Sequence, residues 1–162
     1  MAVKVGDRIP DIEVRTLGEK GLPEPVRTGD VLGSGKVVLF AVPGAFTPGC
    51  SKLHMPGFVA DAEAVKAKGV DKIVCISIND AWVMDAWGQA QGANDKGIVM
   101  IGDGNGGFAD AMGLTFDGSG AGLGTRSQRY AAIIEDGIIT DLEVEPAPGV
   151  DVSSCDNILS KV

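Results

Sequence analysis

The sequence predicts an α/β protein in which a central mixed sheet carries helices on both faces. Lys36–Val42 (KVVLFAV) and Lys72–Ile78 (KIVCISI) are apolar runs suited to strands buried on both sides, and a helix-length segment separates them. Arg129–Val144 then reads as a late β-hairpin turning at Asp136-Gly137. Strands alternating with helices early, followed by an antiparallel pair, make the sheet mixed.

The elements follow in order. Ile12–Leu17 alternates apolar and polar residues as a strand does, and Gly21–Pro25 is a Gly/Pro-rich connection. The Lys36–Val42 strand stops at Pro43-Gly44, and Thr47-Pro48 opens a helix. Gly57–Lys68 continues as an amphipathic helix ending at Gly69. After the second buried strand, Asn79-Asp80 caps a helix running through Trp87 to Gln91. Ile98–Ile101 is a third strand and Phe108–Met112 a short helical piece. Asp117–Thr125 (DGSGAGLGT) is a flexible loop, and Ser153 caps a last helix to Lys161. No repeat or composition break divides residues 1–162, so the expectation is a single domain.

Composition narrows the function. Apolar residues make up 44% and charged residues 22% of the 162, ordinary values for a globular protein. A net charge of −8 leaves no basic stripe for nucleic acid and repels an anionic membrane surface. Met1–Pro10 lacks the apolar stretch of a signal peptide, and Val37–Val42 is too short to cross a bilayer. Three cysteines, at 50, 75 and 155, form neither a CxxC pair nor an even-numbered framework, which points to a reducing, cytoplasmic setting. One histidine and scattered cysteines offer no zinc-type spacing, and nothing calls for a cofactor.

The chemistry lies in Val42–Cys50. Thr47 is a good N-cap, and Pro48 at the first helical position has no amide proton to lose. Cys50 then falls in the first turn, where free N–H groups and the positive end of the helix favour a thiolate. That alone falls far short of enzymatic acceleration, so donors must also meet the second reactant. The Thr47 hydroxyl and the amides of Gly49 and Cys50 are placed to polarise an oxygen beside the sulfur.

Pro43-x-x-x-Thr47-x-x-Cys50 resembles the active-site motif of the peroxiredoxins. The longer string PGAFTPGCSKLHMPGF (43–58) is similar to the type II, or peroxiredoxin-5-like, branch, and KAKGVDKIVCISINDAWVM (66–84) and LGTRSQRYA (123–131) extend the match over nearly the whole chain. The resemblance implies a thioredoxin-like fold and reduction of hydrogen peroxide and alkyl hydroperoxides. It makes Cys50 the peroxidatic cysteine, oxidised to a sulfenic acid. Pro43, Thr47 and Gly49 would bind the substrate beside it. Aligned on Arg129-Tyr130, the family's catalytic arginine falls on Arg129, whose fixed donors would hold the sulfur and peroxide oxygens. Arg126 is a supporting residue.

The resemblance also bears on the reductant. Some relatives close an intramolecular disulfide with a cysteine that aligns with Val152, three residues before Cys155. Cys155 starts the last helix, and reaching Cys50 would need local unwinding. Cys75 sits between Val74 and Ile76 as a core thiol. A one-cysteine cycle is therefore expected, with glutathione or glutaredoxin as reductant in preference to thioredoxin, since LGTRSQRYA resembles plant-type members. The resemblance further implies a weak non-covalent homodimer through the active-site loops. The alternatives are a thioredoxin-dependent two-cysteine peroxidase using Cys155, and a redox-sensing binding protein of the same fold without turnover.

Three other signals are weaker. His54 follows Cys50 by one helical turn, yet Pro56 disturbs the next turn, so packing and hydrogen bonding are expected over a role as base. Gly102–Gly107 satisfies G-x-G-x-x-G, but no strand with an acidic residue follows where a dinucleotide fold needs one. Trp82 and Trp87, on one helix, are read as core or as active-site wall.

Overall fold

A computed structural model describes residues 1–162. The strands are β1 (Glu13–Leu17), β2 (Pro23–Arg27), β3 (Lys36–Ala41), β4 (Lys72–Ser77), β5 (Val99–Gly102), β6 (Thr115–Asp117), β7 (Thr125–Ser127), β8 (Tyr130–Glu135) and β9 (Ile138–Val144). The helices are α1 (Thr28–Val31), α2 (Met55–Ala67), α3 (Ala81–Gln91), α4 (Gly107–Met112) and α5 (Cys155–Leu159). Seven strands form one sheet in the order β2-β1-β5-β4-β3-β8-β9. The three inner strands β5, β4 and β3 run parallel, and the antiparallel pairs flank them on both sides. The mixed sheet expected from the sequence is present.

Period-two alternation divides the apolar runs between two cores. From β3, Val38 and Phe40 face one side while Val37, Leu39 and Ala41 face the other, all of them buried. β4 repeats the division, with Ile73 and Cys75 on the first side and Val74 and Ile76 on the second. The first core is closed by Phe58, Ala62 and Val65 of α2, Met84 and Trp87 of α3, and Ile158 of α5. The second is closed by Leu32 after α1 and by Phe108 and Met112 of α4. Cys50 and Cys75 thus share a core, because Cys75 is in register with Phe40.

The hairpin and one cap behave as read. Asp136 and Gly137 both adopt positive φ (49° and 82°), as a tight two-residue hairpin turn requires. Asp80 caps α3, its Oδ1 accepting the Val83 amide at 2.9 Å.

Several local expectations are corrected. The Gly21–Pro25 connection contains most of β2, which pairs antiparallel with β1 from Glu13↔Arg27 to Leu17↔Pro23. Its prolines hid it, and they are tolerated because β2 lies at the sheet edge. The 117–125 loop is anchored at both ends by the β6–β7 ladder, and Gly118 N–H closes it onto the Gly124 carbonyl at 2.7 Å. The last helix ends at Leu159 and is capped by Ser154, whose Oγ accepts the Asn157 amide at 3.2 Å. Ser153 is buried and its hydroxyl is engaged elsewhere. Trp82 is 52% exposed, its indole N–H donating to the Gly21 carbonyl at 2.9 Å, whereas Trp87 is fully buried. In the Gly102–Gly107 turn the Asp103 carboxylate already accepts the Phe108 and Ala109 amides at 3.1 and 2.9 Å, so those donors are not free for a phosphate.

Candidate active site

The segment after β3 is fixed from below by β4. Val42 N–H donates to the Ile76 carbonyl at 3.2 Å, and Asn79 Oδ1 accepts both the Ala45 amide at 2.9 Å and the Ser77 hydroxyl at 2.8 Å. Phe46 turns the chain with φ 65°, a left-handed conformation that is rare outside glycine. The helix then opens at Pro48, as expected, and its first hydrogen bond runs from Ser51 N–H to the Thr47 carbonyl at 2.9 Å. Cys50 therefore lies in the first turn.

That turn is not an ordinary α-turn. Cys50–His54 forms a wide π-turn before α2 begins. Pro56 has no amide to return to the preceding turn, and the wider turn accommodates the break. Trp87 of α3 secures it by donating its indole N–H to Ser51 Oγ at 2.9 Å. Cys50 itself is fully buried.

Arg129, immediately before β8, brings the site together. Its Nη2 donates to Cys50 Sγ at 3.1 Å and its Nη1 donates to His54 Nδ1 at 2.9 Å. A guanidinium only donates, so Nδ1 must accept, and the imidazole proton sits on Nε2. From there it is donated to the Ser153 carbonyl at 2.8 Å. The ring is enclosed by Phe40 and Phe58, which stack on each other with centroids 4.0 Å apart. Burial, then the Arg129 charge, push the His54 pKa down from 6.5 to about 4, against opposing contributions from the Ser153 carbonyl and Glu145. His54 is thus a neutral spacer that orients the arginine, with its lone pair already used. It is not placed as a base for Cys50.

The other residues singled out in the sequence divide by position. Thr47 does not cap the helix with its side chain, since its hydroxyl donates to the Gly44 carbonyl at 2.6 Å. The oxygen is left as an acceptor, which suits the O–H of a peroxide better than its leaving oxygen. Gly49 lets the guanidinium approach, because a Cβ there would lie 3.1 Å from Arg129 Nη2. Arg126 does not reach the sulfur. It donates to the carbonyls of Leu123 at 3.0 Å and Pro43 at 3.3 Å, tying the 117–125 loop to the active-site segment. A cleft of about 420 Å³ opens beside the Arg129 guanidinium, and Pro43, Gly49, Phe116, Glu145 and Pro146 also line it.

Neither remaining cysteine is exposed. Burial raises the Cys75 pKa well above the thiol range, reinforced by nearby Cys50. Cys155 is pushed up to about 12, by burial first and then by Asp61 and Asp156, and it packs against α2 at Gly57. The sequence reading did not single out Glu145, and it read Ser153 and Asn79 only as helix caps. Glu145 precedes Pro146-Ala-Pro-Gly149, and nothing local marks its carboxylate as reaching eight residues along the chain.

Comparison with known proteins places the chain in a family. The family described as Redoxin matches residues 4–159. Peroxiredoxin-2B of Arabidopsis thaliana is 41% identical over 157 residues, covering 97% of this chain and 96% of that protein. Peroxiredoxin-2E, chloroplastic, from the same plant is 41% identical over 161 residues, covering 98% of this chain and 68% of the relative. Among solved structures, reduced Prx3 of Vibrio vulnificus in complex with hydrogen peroxide superposes with a TM-score of 0.92 at 43% identity, covering 98% of each chain. Peroxiredoxin 5 of Alvinella pompejana gives 0.85 at 34% identity, covering 98% of this chain and 96% of that one. The thioredoxin-like architecture fits these relatives, and the chain belongs to the peroxiredoxins, as a peroxidase of the redoxin family.

Proposed function

We propose that Cys50 is the peroxide-reactive nucleophile, that Arg129, Thr47 and the amides of Gly49 and Cys50 bind and activate the peroxide, and that hydrogen peroxide and alkyl hydroperoxides are the substrates. The observation that carries this reading is the Arg129 Nη2 donor 3.1 Å from Cys50 Sγ, a fixed positive charge that favours a sulfur anion and the charge leaving on oxygen. The thiolate attacks one peroxide oxygen and the O–O bond breaks. The sulfur becomes a sulfenic acid, and the other oxygen departs as hydroxide or alkoxide and takes a proton. The cleft between Pro43 and Pro146 has room for an alkyl group, and the Vibrio vulnificus relative was solved with hydrogen peroxide bound.

The cycle closes without a second protein cysteine. Cys155, with its pKa near 12, and Cys75, buried in the sheet, are both thiols at neutral pH and poor attackers. A glutathione or glutaredoxin thiol attacks the sulfenic sulfur, releases water and leaves a mixed disulfide, which a second thiol reduces. Three unpaired cysteines suit a reducing, cytoplasmic setting. Exposed Phe46, in the turn before the Cys50 helix, and Phe116 of β6, in the cleft lining, suit the contact of a weak homodimer.

The test is a Cys75→Ser/Cys155→Ser double variant assayed with glutaredoxin plus glutathione and, separately, with thioredoxin. Turnover retained with the first system supports the one-cysteine cycle. Turnover lost, with a Cys50–Cys155 disulfide in peroxide-treated wild type by mass spectrometry, shows instead that Cys155 resolves. A Cys50→Ser variant that still reduces peroxide would refute the whole reading.

A further inference from the structure

Glu145 lies just past β9 and lines the same cleft as Gly49 and Arg129, and its carboxylate is unusually occupied. Oε2 accepts the Ser153 hydroxyl at 2.6 Å, the Ser153 amide at 2.8 Å and the Asp151 amide at 2.8 Å. Burial opposes its ionisation, but those donors outweigh burial and hold the carboxyl below the usual glutamate range. Ser153 is fully buried, and its carbonyl is the acceptor for His54 Nε2–H at 2.8 Å. His54 in turn accepts from Arg129, and Arg129 donates to the sulfur. The Glu145 amide also donates to the Arg129 carbonyl at 3.0 Å, so one residue grips both ends of the chain of contacts.

From this arrangement we infer that Glu145 is a positioning residue for the peroxidase reaction: it clamps the 151–153 turn so that the Ser153 carbonyl locks the His54 tautomer and, through it, the Arg129 guanidinium on Cys50. The inference rests on the assignment of Cys50 and Arg129 proposed above. The physical reason for such a clamp is the freedom of the partners. Residues 146–149 are exposed and carry two prolines, and the backbone between β9 and α5 has no sheet partner to fix it. Without the carboxylate, only the Asn157 side chain on the Val152 carbonyl and the Ser154 amide on the Asp151 carbonyl still hold the turn; the Ser153 carbonyl gains freedom, and the imidazole then shifts its proton between ring nitrogens. A ring with its proton on Nδ1 cannot accept from Arg129. The guanidinium would be released from its alignment although every catalytic group remained present, and displacement by about 1 Å can cost up to about a hundredfold in rate.

His54 is the only histidine in the chain, so its ring nitrogens give an unambiguous nitrogen-15 NMR signature. The experiment compares wild type, Glu145→Ala, Arg129→Gln and the Glu145→Ala/Arg129→Gln pair, measuring stopped-flow oxidation of Cys50 by hydrogen peroxide and the His54 spectrum. Glu145→Ala should slow oxidation about tenfold and turn the single Nε2–H tautomer into an averaged signal, whereas adding it to Arg129→Gln should change the rate less than about twofold. Ser153→Ala, which keeps the amide and carbonyl, should show both changes at smaller amplitude and provides the measurement if Glu145→Ala does not fold. An unchanged rate and tautomer in whichever of these two single variants folds would overturn the clamp, as would an equal rate loss from Glu145→Ala with and without Arg129. An Arg129→Gln enzyme that oxidises at the wild-type rate would instead overturn the active-site assignment itself.

Discussion

Acidification should destabilise this protein through His54 before most carboxylates are protonated. The imidazole is completely buried and its pKa is held down to about 4, against 6.5 for an exposed histidine. The sign follows from counting protons. Between about pH 6.5 and about pH 4 the unfolded chain carries a proton on His54 that the native protein refuses, so stability falls as pH falls through that window. The gap corresponds to about 3 kcal/mol of stability that is present above about pH 7 and lost by about pH 4. Arg129 and Glu145 are the charged groups facing the ring, and both keep their charge over most of this range. The assay is urea unfolding of wild type and His54→Gln at several pH values, because the glutamine amide is neutral throughout and carries only the background dependence of the other groups. The wild type should lose about 3 kcal/mol more than the variant between about pH 7.5 and about pH 4. A difference that stays flat across the series, or an NMR titration placing His54 near 6.5, would refute the reasoning.

Other outcomes follow from particular contacts. Gly49→Ala puts a methyl 3.1 Å from Arg129 Nη2, so the guanidinium must yield by a few tenths of an ångström. Stopped-flow oxidation should slow about tenfold with little change in melting temperature, and a wild-type rate would show that the approach is not constrained. Arg126→Gln removes donors to the Pro43 and Leu123 carbonyls, not to the sulfur. Its oxidation rate should therefore fall less than that of Arg129→Gln, and the reverse order in stopped-flow traces would exchange their roles. Asp80→Ala removes the α3 cap and should cost about 1 kcal/mol in denaturant unfolding, with the rate of Cys50 oxidation preserved.

Local sequence rules set the inner sheet, the hairpin and the start of the helix that carries Cys50. Lys36–Val42 and Lys72–Ile78 had no competing reading, since apolar residues on both faces demand burial on both faces. Thr47-Pro48 placed Cys50 in a first helical turn by local rules alone, and the resemblance to the peroxiredoxins pointed to Arg129, which the structure brings to 3.1 Å from the sulfur. What local rules could not supply was partnership across the chain. β2 forms despite two prolines because an edge ladder with β1 is available. The Thr47 hydroxyl leaves its capping position for the Gly44 carbonyl because the Phe46 turn brings that oxygen within 2.6 Å. The state of His54 depends on residues 75 and 99 positions away, and Glu145 matters only because the chain folds Ser153 back beneath that ring. Such contacts leave no periodicity or motif behind, because a side chain's protonation and aim are set by whichever groups tertiary packing delivers to it.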